Sequence, residues 1–146
     1  METVEAITLD VGGTLIEPWP SVGHIYAEVA ARHGVQAEPE ELTRRFVQVW
    51  QAQDAFQYTR ADWAAVVDTT FEGLVTQLPS QTFFGELYSH FAKAECWYVY
   101  EDVIPTLTAL RQQAACKVSK RQPTRAGKPR VAYPAVKHLL FHIFAL

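Results

Sequence analysis

Apolar residues recur at helical spacing through the middle of the chain. After Ser21 they lie at i, i+3, i+4, i+7, i+8 and i+11, as Val22, Ile25, Tyr26, Val29, Ala30 and His33. Three similar stripes follow, opened by Pro39, Thr59 and Pro79. Because amphipathic helices of this kind bury their stripes against one another, the pattern predicts a four-helix bundle between about residues 21 and 95.

Capping residues stand where these helices should begin and end. Ser21 is a favoured N-cap residue, and Gly34 suits the position just after a helix. Pro39 suits a first helical turn. Thr59 and Asp62 have the spacing of a capping box. The predicted bundle therefore has both its faces and its ends encoded in the sequence.

The pattern changes at the start of the chain. A short apolar run ending in Asp10 predicts a buried strand over residues 4–10, and Gly12-Gly13 allow a tight turn after it. Only residues 116–119 and 130–133 offer further, weaker strand candidates. Open α/β sheets bind ligands at the carboxyl ends of their strands. Asp10 is thus the first candidate for a nucleophile or an anchor for a hard cation.

The residues Asp10-Val11-Gly12-Gly13-Thr14 resemble the first signature of the haloacid dehalogenase superfamily, which in most members reads Asp-x-Asp-Gly-Thr. The wider stretch from Ile7 to Ile16, with Tyr26-Ala27-Glu28 and His33-Gly34, is similar to the branch whose helical cap is inserted after this loop. A return segment with Pro105, Leu107 and Leu110 extends the resemblance to about residue 113.

The resemblance implies a mechanism. Asp10 would be the nucleophile and form an aspartyl intermediate, Thr14 would orient it, and Asp10 with the Gly12 carbonyl would hold Mg²⁺. The substrate would be a small phosphorylated or halogenated molecule. The family's second acid, which moves protons, is replaced here by Gly12, which has no side chain.

The later family motifs are short or missing. Ser119 is similar to the phosphoryl-binding Ser or Thr, and Lys128 to the Lys of the third motif. No Asp or Glu follows Asp102, so the acidic fourth motif is absent. A transferring phosphoryl group needs a cation clamp, and Mg²⁺ usually takes more than one oxygen ligand. The catalytic set that the resemblance implies is therefore incomplete.

These observations predict a haloacid dehalogenase-like α/β fold with a truncated Rossmann-like core and a four-helix-bundle cap, mostly α as the chain stands. Its segments are the first core strand and nucleophile loop (1–17), the helical cap (18–98), the return helix (99–114) and an atypical basic tail (115–146). The predicted function is phosphatase-type hydrolysis.

Two alternatives remain open. The first is a non-catalytic remnant or interaction module, in which the bundle offers a binding surface. The second is an actin-like sugar kinase, because Asp-Val-Gly-Gly-Thr also resembles the phosphate loop of that fold. The kinase would require an antiparallel hairpin over residues 4–20, whereas Pro18 and Pro20 interrupt the chain and a helical pattern follows.

Charge and composition bear on the partners and the cellular location of the protein. Residues 1–102 carry 16 acidic and 5 basic residues, a net charge of −11, and residues 103–146 carry 8 basic and no acidic residues, a net charge of +8. The basic tail lacks a nucleic-acid-binding motif, so no nucleic-acid partner is expected.

No apolar run is long enough to cross a bilayer, and Met1–Glu5 is not basic, so we expect a cytoplasmic protein without a membrane partner. Cys96 and Cys116 are expected to be free thiols.

Overall fold

The computed structural model describes residues 9–113, which form five α-helices and one two-stranded sheet. In chain order the elements are β1 (Ile16–Pro18), α1 (Val22–Arg32), α2 (Pro39–Gln51), α3 (Arg60–Thr70), α4 (Phe84–His90), β2 (Trp97–Val99) and α5 (Val103–Gln113). Within residues 9–113, the prediction that the chain is mostly helical is confirmed. None of the helices in this part of the chain has the length and apolar character needed to span a membrane.

The ends of the first helices follow the capping residues. The Ser21 hydroxyl accepts a hydrogen bond from the His24 amide at 3.2 Å, and Gly34 has a φ of +77° just after α1, a conformation that suits glycine. Thr59 and Asp62 form the reciprocal capping box at the start of α3. Since each cap satisfies backbone amides that the helix itself leaves without a partner, the local sequence sets where the helices begin.

Helices α1 to α4 enclose the main hydrophobic core. Its fully buried members come from all four helices and the links between them, and include Val29, Leu42, Val67, Phe71 and Leu87. The Tyr26 ring lies at the centre, with ring centroids 5.9 Å from Phe71 and 6.0 Å from Phe46 and Phe91. Burial raises the pKa of the Tyr26 phenol, because the surroundings disfavour the charged phenolate.

Helices α1 and α2 approach closely at Gly23. A Cβ atom placed on Gly23 would lie 1.9 Å from the Pro39 carbonyl oxygen and 2.3 Å from Thr43 Oγ1. The Gly23 amide donates to Thr43 Oγ1 at 3.2 Å, and the Thr43 hydroxyl donates to the Pro39 carbonyl at 2.9 Å. The crossing therefore needs a residue without a side chain at position 23. The Thr43 hydroxyl of α2 also accepts a hydrogen bond from a first-turn backbone amide of α1, which has no partner within its own helix.

The fourth predicted helix is shorter than its sequence pattern indicated. Pro79–Gln81 form a separate 3₁₀ turn, and Thr82 leaves helical geometry with φ −124° and ψ −83°. Helix α4 then runs over Phe84–His90, with Phe83 as its N-cap. The prediction of one continuous helix from Pro79 was wrong at its start, because apolar spacing alone does not detect a break as short as Thr82 and Phe83.

The two strands were not predicted as such. β1 and β2 pair antiparallel in the register Ile16 with Val99, Glu17 with Tyr98 and Pro18 with Trp97. They are the segments by which the chain enters and leaves the helical bundle. The bundle is therefore connected to the residues before and after it through two neighbouring strands.

The strand predicted over residues 4–10 is described only at its end. Leu9 and Asp10 are not in a strand, so this part of the prediction was wrong, and residues 4–8 lie outside the described range. After Asp10 the chain turns at once, because the Val11 carbonyl accepts hydrogen bonds from the amides of Thr14, Leu15 and Ile16. The strand candidates over 116–119 and 130–133 also lie outside the described range.

A second, smaller hydrophobic cluster includes residues of the strand pair itself. Leu15, Ile16 and Val103 are buried in it, and Val11, Val99, Tyr100 and Leu107 pack around them. Trp97 contacts both clusters. The strand pair therefore links the bundle to α5 and to the segment that contains Asp10.

Candidate active site

The segment from Asp10 to Glu17 folds into a compact loop. The Val11 carbonyl accepts hydrogen bonds from the amides of Leu15 at 2.9 Å and Ile16 at 3.1 Å, and the Gly13 amide donates to the Ile16 carbonyl at 2.9 Å. Gly13 has a φ of +76°, in the left-handed region that favours glycine. The glycine pair of the motif thus makes a closed loop whose base joins Val11 to Ile16.

Asp10 lies at the start of this loop with an exposed side chain. Its Oδ1 atom accepts a hydrogen bond from the Val11 amide at 2.9 Å. This contact orients the carboxylate at the mouth of the loop and leaves it accessible to a molecule from solvent. Asp10 therefore lies exposed at the mouth of the loop and not at the tip of a strand, where the sequence placed it.

The other predicted residues of the loop are also exposed. Gly12 and Thr14 both lie on the solvent side, and the Thr14 amide donates to the Val11 carbonyl at 3.4 Å. Their neighbours Leu15 and Ile16 are buried in the second cluster. Burial of Leu15 and Ile16 anchors the end of the loop and leaves Asp10, Gly12 and Thr14 on one short accessible segment.

A second carboxylate belongs to the same segment. Glu17 follows the loop in β1, and its Oε2 atom accepts a hydrogen bond from the Tyr100 hydroxyl at 2.8 Å. The Tyr100 amide donates to the Leu15 carbonyl at 3.3 Å, so the backbone of Tyr100 is attached to the loop as well. The hydrogen bond to Glu17 raises the pKa of the Tyr100 phenol, because the carboxylate favours the protonated, donating form.

Mg²⁺ is the cofactor that the family resemblance implied. Asp10 and the Gly12 carbonyl offer oxygen atoms, the donor type that Mg²⁺ prefers. In residues 9–113 no group of three or more His, Cys, Asp or Glu side chains could hold a metal ion. A bound Mg²⁺ would therefore take most of its ligands from water and from substrate phosphate.

Two predicted residues, Ser119 and Lys128, lie outside the described residues, and the structure does not place them. Of the predicted site residues, the structure therefore describes Asp10, Gly12 and Thr14.

Cationic side chains of the bundle have partners within it. Arg44 and Arg45 both form ion pairs with Glu41, and Arg45 also donates to the Glu72 carbonyl at 2.8 Å. They line a polar groove of about 380 Å³ together with Gln48 and Thr69. Because the nearby carboxylates offset these charges, the groove is a poor site for an anion.

A charged network joins α1 to α4 on another face of the bundle. Glu86 accepts hydrogen bonds from His33 at 2.8 Å and from Arg32 at 2.5 Å. Arg32 is also paired with Glu28. Hydrogen bonds from His33 and Arg32 lower the pKa of the Glu86 carboxyl group. The network is a contact between helices, in which His33, the C-cap residue of α1, contacts Glu86 of α4.

Comparisons with known proteins give no family. No protein-family model matches the chain, and a search of curated proteins found no significant match.

The sequence predicted no role for Glu17 or Tyr100, although both lie close to segments that resemble the family. A role for Glu17 could have been suspected from its position directly after the loop. Its partner could not, because the two residues are 83 positions apart and meet only through the pairing of β1 with β2.

Proposed function

We propose that this protein is a hydrolase of the haloacid dehalogenase type, in which Asp10 attacks a small phosphorylated or halogenated substrate and forms an aspartyl intermediate. One observation carries the proposal: a helical bundle is inserted directly after the Asp10 loop, through two strands that lie side by side. This arrangement supports a lid built separately from the nucleophile, which is the plan that the sequence motif implied.

The proposed roles follow from the positions of the groups. The accessible Asp10 carboxylate supplies the attacking oxygen, and its bond to the Val11 amide fixes its direction. Thr14 orients the substrate or the carboxylate. Mg²⁺ is the proposed cofactor, held by Asp10 and the Gly12 carbonyl, and when bound it would offset the negative charge of a phosphoryl group. Ser119 and Lys128 are proposed as further phosphoryl contacts by resemblance alone.

The test measures hydrolysis by the complete chain. Wild type and Asp10→Asn are assayed with para-nitrophenyl phosphate and Mg²⁺, and with a 2-haloacid while chloride release is followed. Asp54→Asn is the matched control, because Asp54 is an exposed aspartate in the link between α2 and α3. We expect turnover of one substrate class by wild type and Asp54→Asn, and a loss of about 10³-fold or more in Asp10→Asn.

A second candidate is the non-catalytic interaction module. The observation that favours it is the absence of any acidic residue after Asp102 in the sequence. If folded wild-type protein, verified by circular dichroism, hydrolyses neither substrate class, the hydrolase proposal fails and this candidate replaces it.

The actin-like sugar kinase is the third candidate. It requires an antiparallel hairpin over residues 4–20, and residues 9–20 contain none: β1 pairs with β2 instead. Transfer of phosphate from ATP to a sugar by wild type would favour this candidate over the other two.

A further inference from the structure

Three aromatic rings form a row on the strand pair. The Trp19 ring centroid lies 5.6 Å from that of Tyr98, and the Tyr98 centroid lies 5.9 Å from that of Tyr100. The Trp19 amide donates to the Cys96 carbonyl at 2.8 Å, which attaches Trp19 to the start of β2. Since Tyr100 also donates to Glu17, these contacts join Glu17, Trp19, Tyr98 and Tyr100 into one surface, which we call the aromatic row.

The aromatic row is accessible along its length. Trp19 is 54% exposed, and both Trp19 and Tyr98 lie outside the two hydrophobic clusters of the described residues. Glu17 and Tyr100 are partly exposed as well. Neighbouring exposed apolar groups rimmed by polar ones are typical of interaction sites. The row therefore offers ring surface to another segment or molecule.

The charge around the aromatic row is negative. Glu101 and Asp102 follow Tyr100 directly in the chain, and both are exposed. Among residues 9–113, neither of them nor Glu17 forms an ion pair with a basic side chain. Ring faces and carboxylates both attract Arg and Lys, and rows of aromatic rings also bind segments that contain proline. The chemistry of the row thus favours a basic segment with prolines.

The chain itself contains such a segment within reach. Residues 117–130 include six Lys and Arg residues, two prolines and no Asp or Glu. Helix α5 begins beside the aromatic row, because the Val103 amide donates to the Tyr100 carbonyl at 3.1 Å. Its 11 residues end at Gln113, about 16 Å along the helix axis. Since each extended residue spans up to about 3.5 Å, about five residues after Gln113 suffice to return to the row.

We propose that residues 117–130 bind the aromatic row of the same chain, with Arg and Lys side chains on the rings of Trp19 and Tyr98 and paired with the Glu17 carboxylate. The inference goes beyond the proposed hydrolysis and does not depend on it. Because the segment is covalently attached close to the row, its effective concentration there is high, and individually weak contacts are enough for binding. The bound segment covers the exposed rings and offsets the negative charge around them.

Limited digestion of the full chain with trypsin tests this binding. Trypsin cleaves after Lys and Arg, and it cuts a bound segment only while that segment is released. In Trp19→Ala and Glu17→Gln we expect cleavage after Arg121 and Arg125 to become about 10-fold faster or more than in wild type at low salt. Glu17→Gln keeps an oxygen for the Tyr100 hydrogen bond and removes only the charge. NaCl at about 0.5 M should accelerate cleavage of wild type, because salt screens exposed charges.

Two controls accompany the digestion. Asp54→Asn removes an exposed carboxylate in the link between α2 and α3 and should be cut at the wild-type rate. Cleavage after Arg32 or Arg45, which lie in α1 and α2, reports unfolding of the bundle. If Trp19→Ala is cut there, Glu17→Gln decides. Equal rates of cleavage of residues 117–130 in wild type and in the folded variants overturn the proposal.

Chemical cross-linking identifies the chain that supplies the segment. A water-soluble carbodiimide joins a carboxylate to a lysine amine that contacts it, and a mixture of unlabelled and isotope-labelled wild type separates products within one chain from products between two. We expect Glu17 or Glu101 to be joined to Lys120 or Lys128 within single chains. Products that contain both isotopes would assign the segment to a second copy, and products of these lysines with Asp54 alone would place it on another face. Either result overturns the proposal, and neither bears on the hydrolysis proposed for the Asp10 loop.

Discussion

Replacement of Gly23 by alanine tests the close crossing of α1 and α2. The added Cβ would lie 1.9 Å from the Pro39 carbonyl oxygen, whereas real Cβ atoms essentially never approach a heavy atom within 3.0 Å. The two helices must therefore move apart by about 1 Å, which strains close packing. The movement also lengthens the bond from the Gly23 amide to Thr43, now 3.2 Å.

The expected magnitude follows from opposing effects. Alanine favours a helix over glycine by up to about 1 kcal/mol. Overpacking costs about 1–3 kcal/mol, and the strained hydrogen bonds of Thr43 about 1 kcal/mol each. We expect Gly23→Ala to lower the free energy of unfolding by about 2 kcal/mol, a fall in Tm of about 8 °C or more for a domain of this size.

Gly85 provides the matched control. It is also a glycine in the first turn of a helix, but a Cβ placed on it would meet only the end of the Arg60 side chain, at 3.5 Å. Gly85→Ala should leave Tm unchanged or raise it slightly. Urea unfolding followed by circular dichroism measures both variants. If Gly23→Ala were as stable as wild type, the geometry described for the crossing would be wrong.

Three further predictions concern the bundle. Thr59→Ala removes the cap of α3 and should reduce the free energy of unfolding by about 1 kcal/mol, measured by urea unfolding. The hydrogen bond from His33 is the largest of the causes that lower the pKa of Glu86, so this carboxylate should stabilise the fold above its unfolded-state pKa and lose that effect as the pH falls through its lower folded-state pKa. The stability difference between wild type and Glu86→Gln, measured by urea unfolding across the acid range, should therefore shrink as the pH falls below the ordinary glutamate pKa. Burial raises the pKa of the Cys96 thiol, so in a Cys116→Ser background reaction with a thiol reagent at pH 8 should be slow until the protein is unfolded; rapid labelling of the folded protein would contradict its burial.

The helical part of the fold could be predicted because its information is local. The apolar stripe after Ser21 and the capping box at Thr59 lie within single helices, and both have the expected form in the structure. The pairing of β1 with β2 could not be predicted in the same way. Each strand has three residues, too few for an alternating pattern, and their partners are about 80 residues apart in the chain.

In the candidate site, too, local features could be predicted and contacts between distant residues could not. Asp10, Gly12 and Thr14 were identified because they are neighbours in a recognisable motif, and the structure places them on one accessible loop. The bond between Tyr100 and Glu17 depends on the strand register, which no local pattern encodes. A contact between residues far apart in the chain can be predicted from the sequence only when a known motif includes both of them.

The register of the strand pair brings the two ends of the helical bundle close together. Pro18 and Trp97 are paired across the two strands, and such partners have Cα atoms only about 5 Å apart. A segment whose two ends are neighbours can be replaced by a short turn, or exchanged for another segment with similarly spaced ends, without moving the chain on either side. The helical bundle can thus change in length or sequence while the loop that contains Asp10 keeps its place.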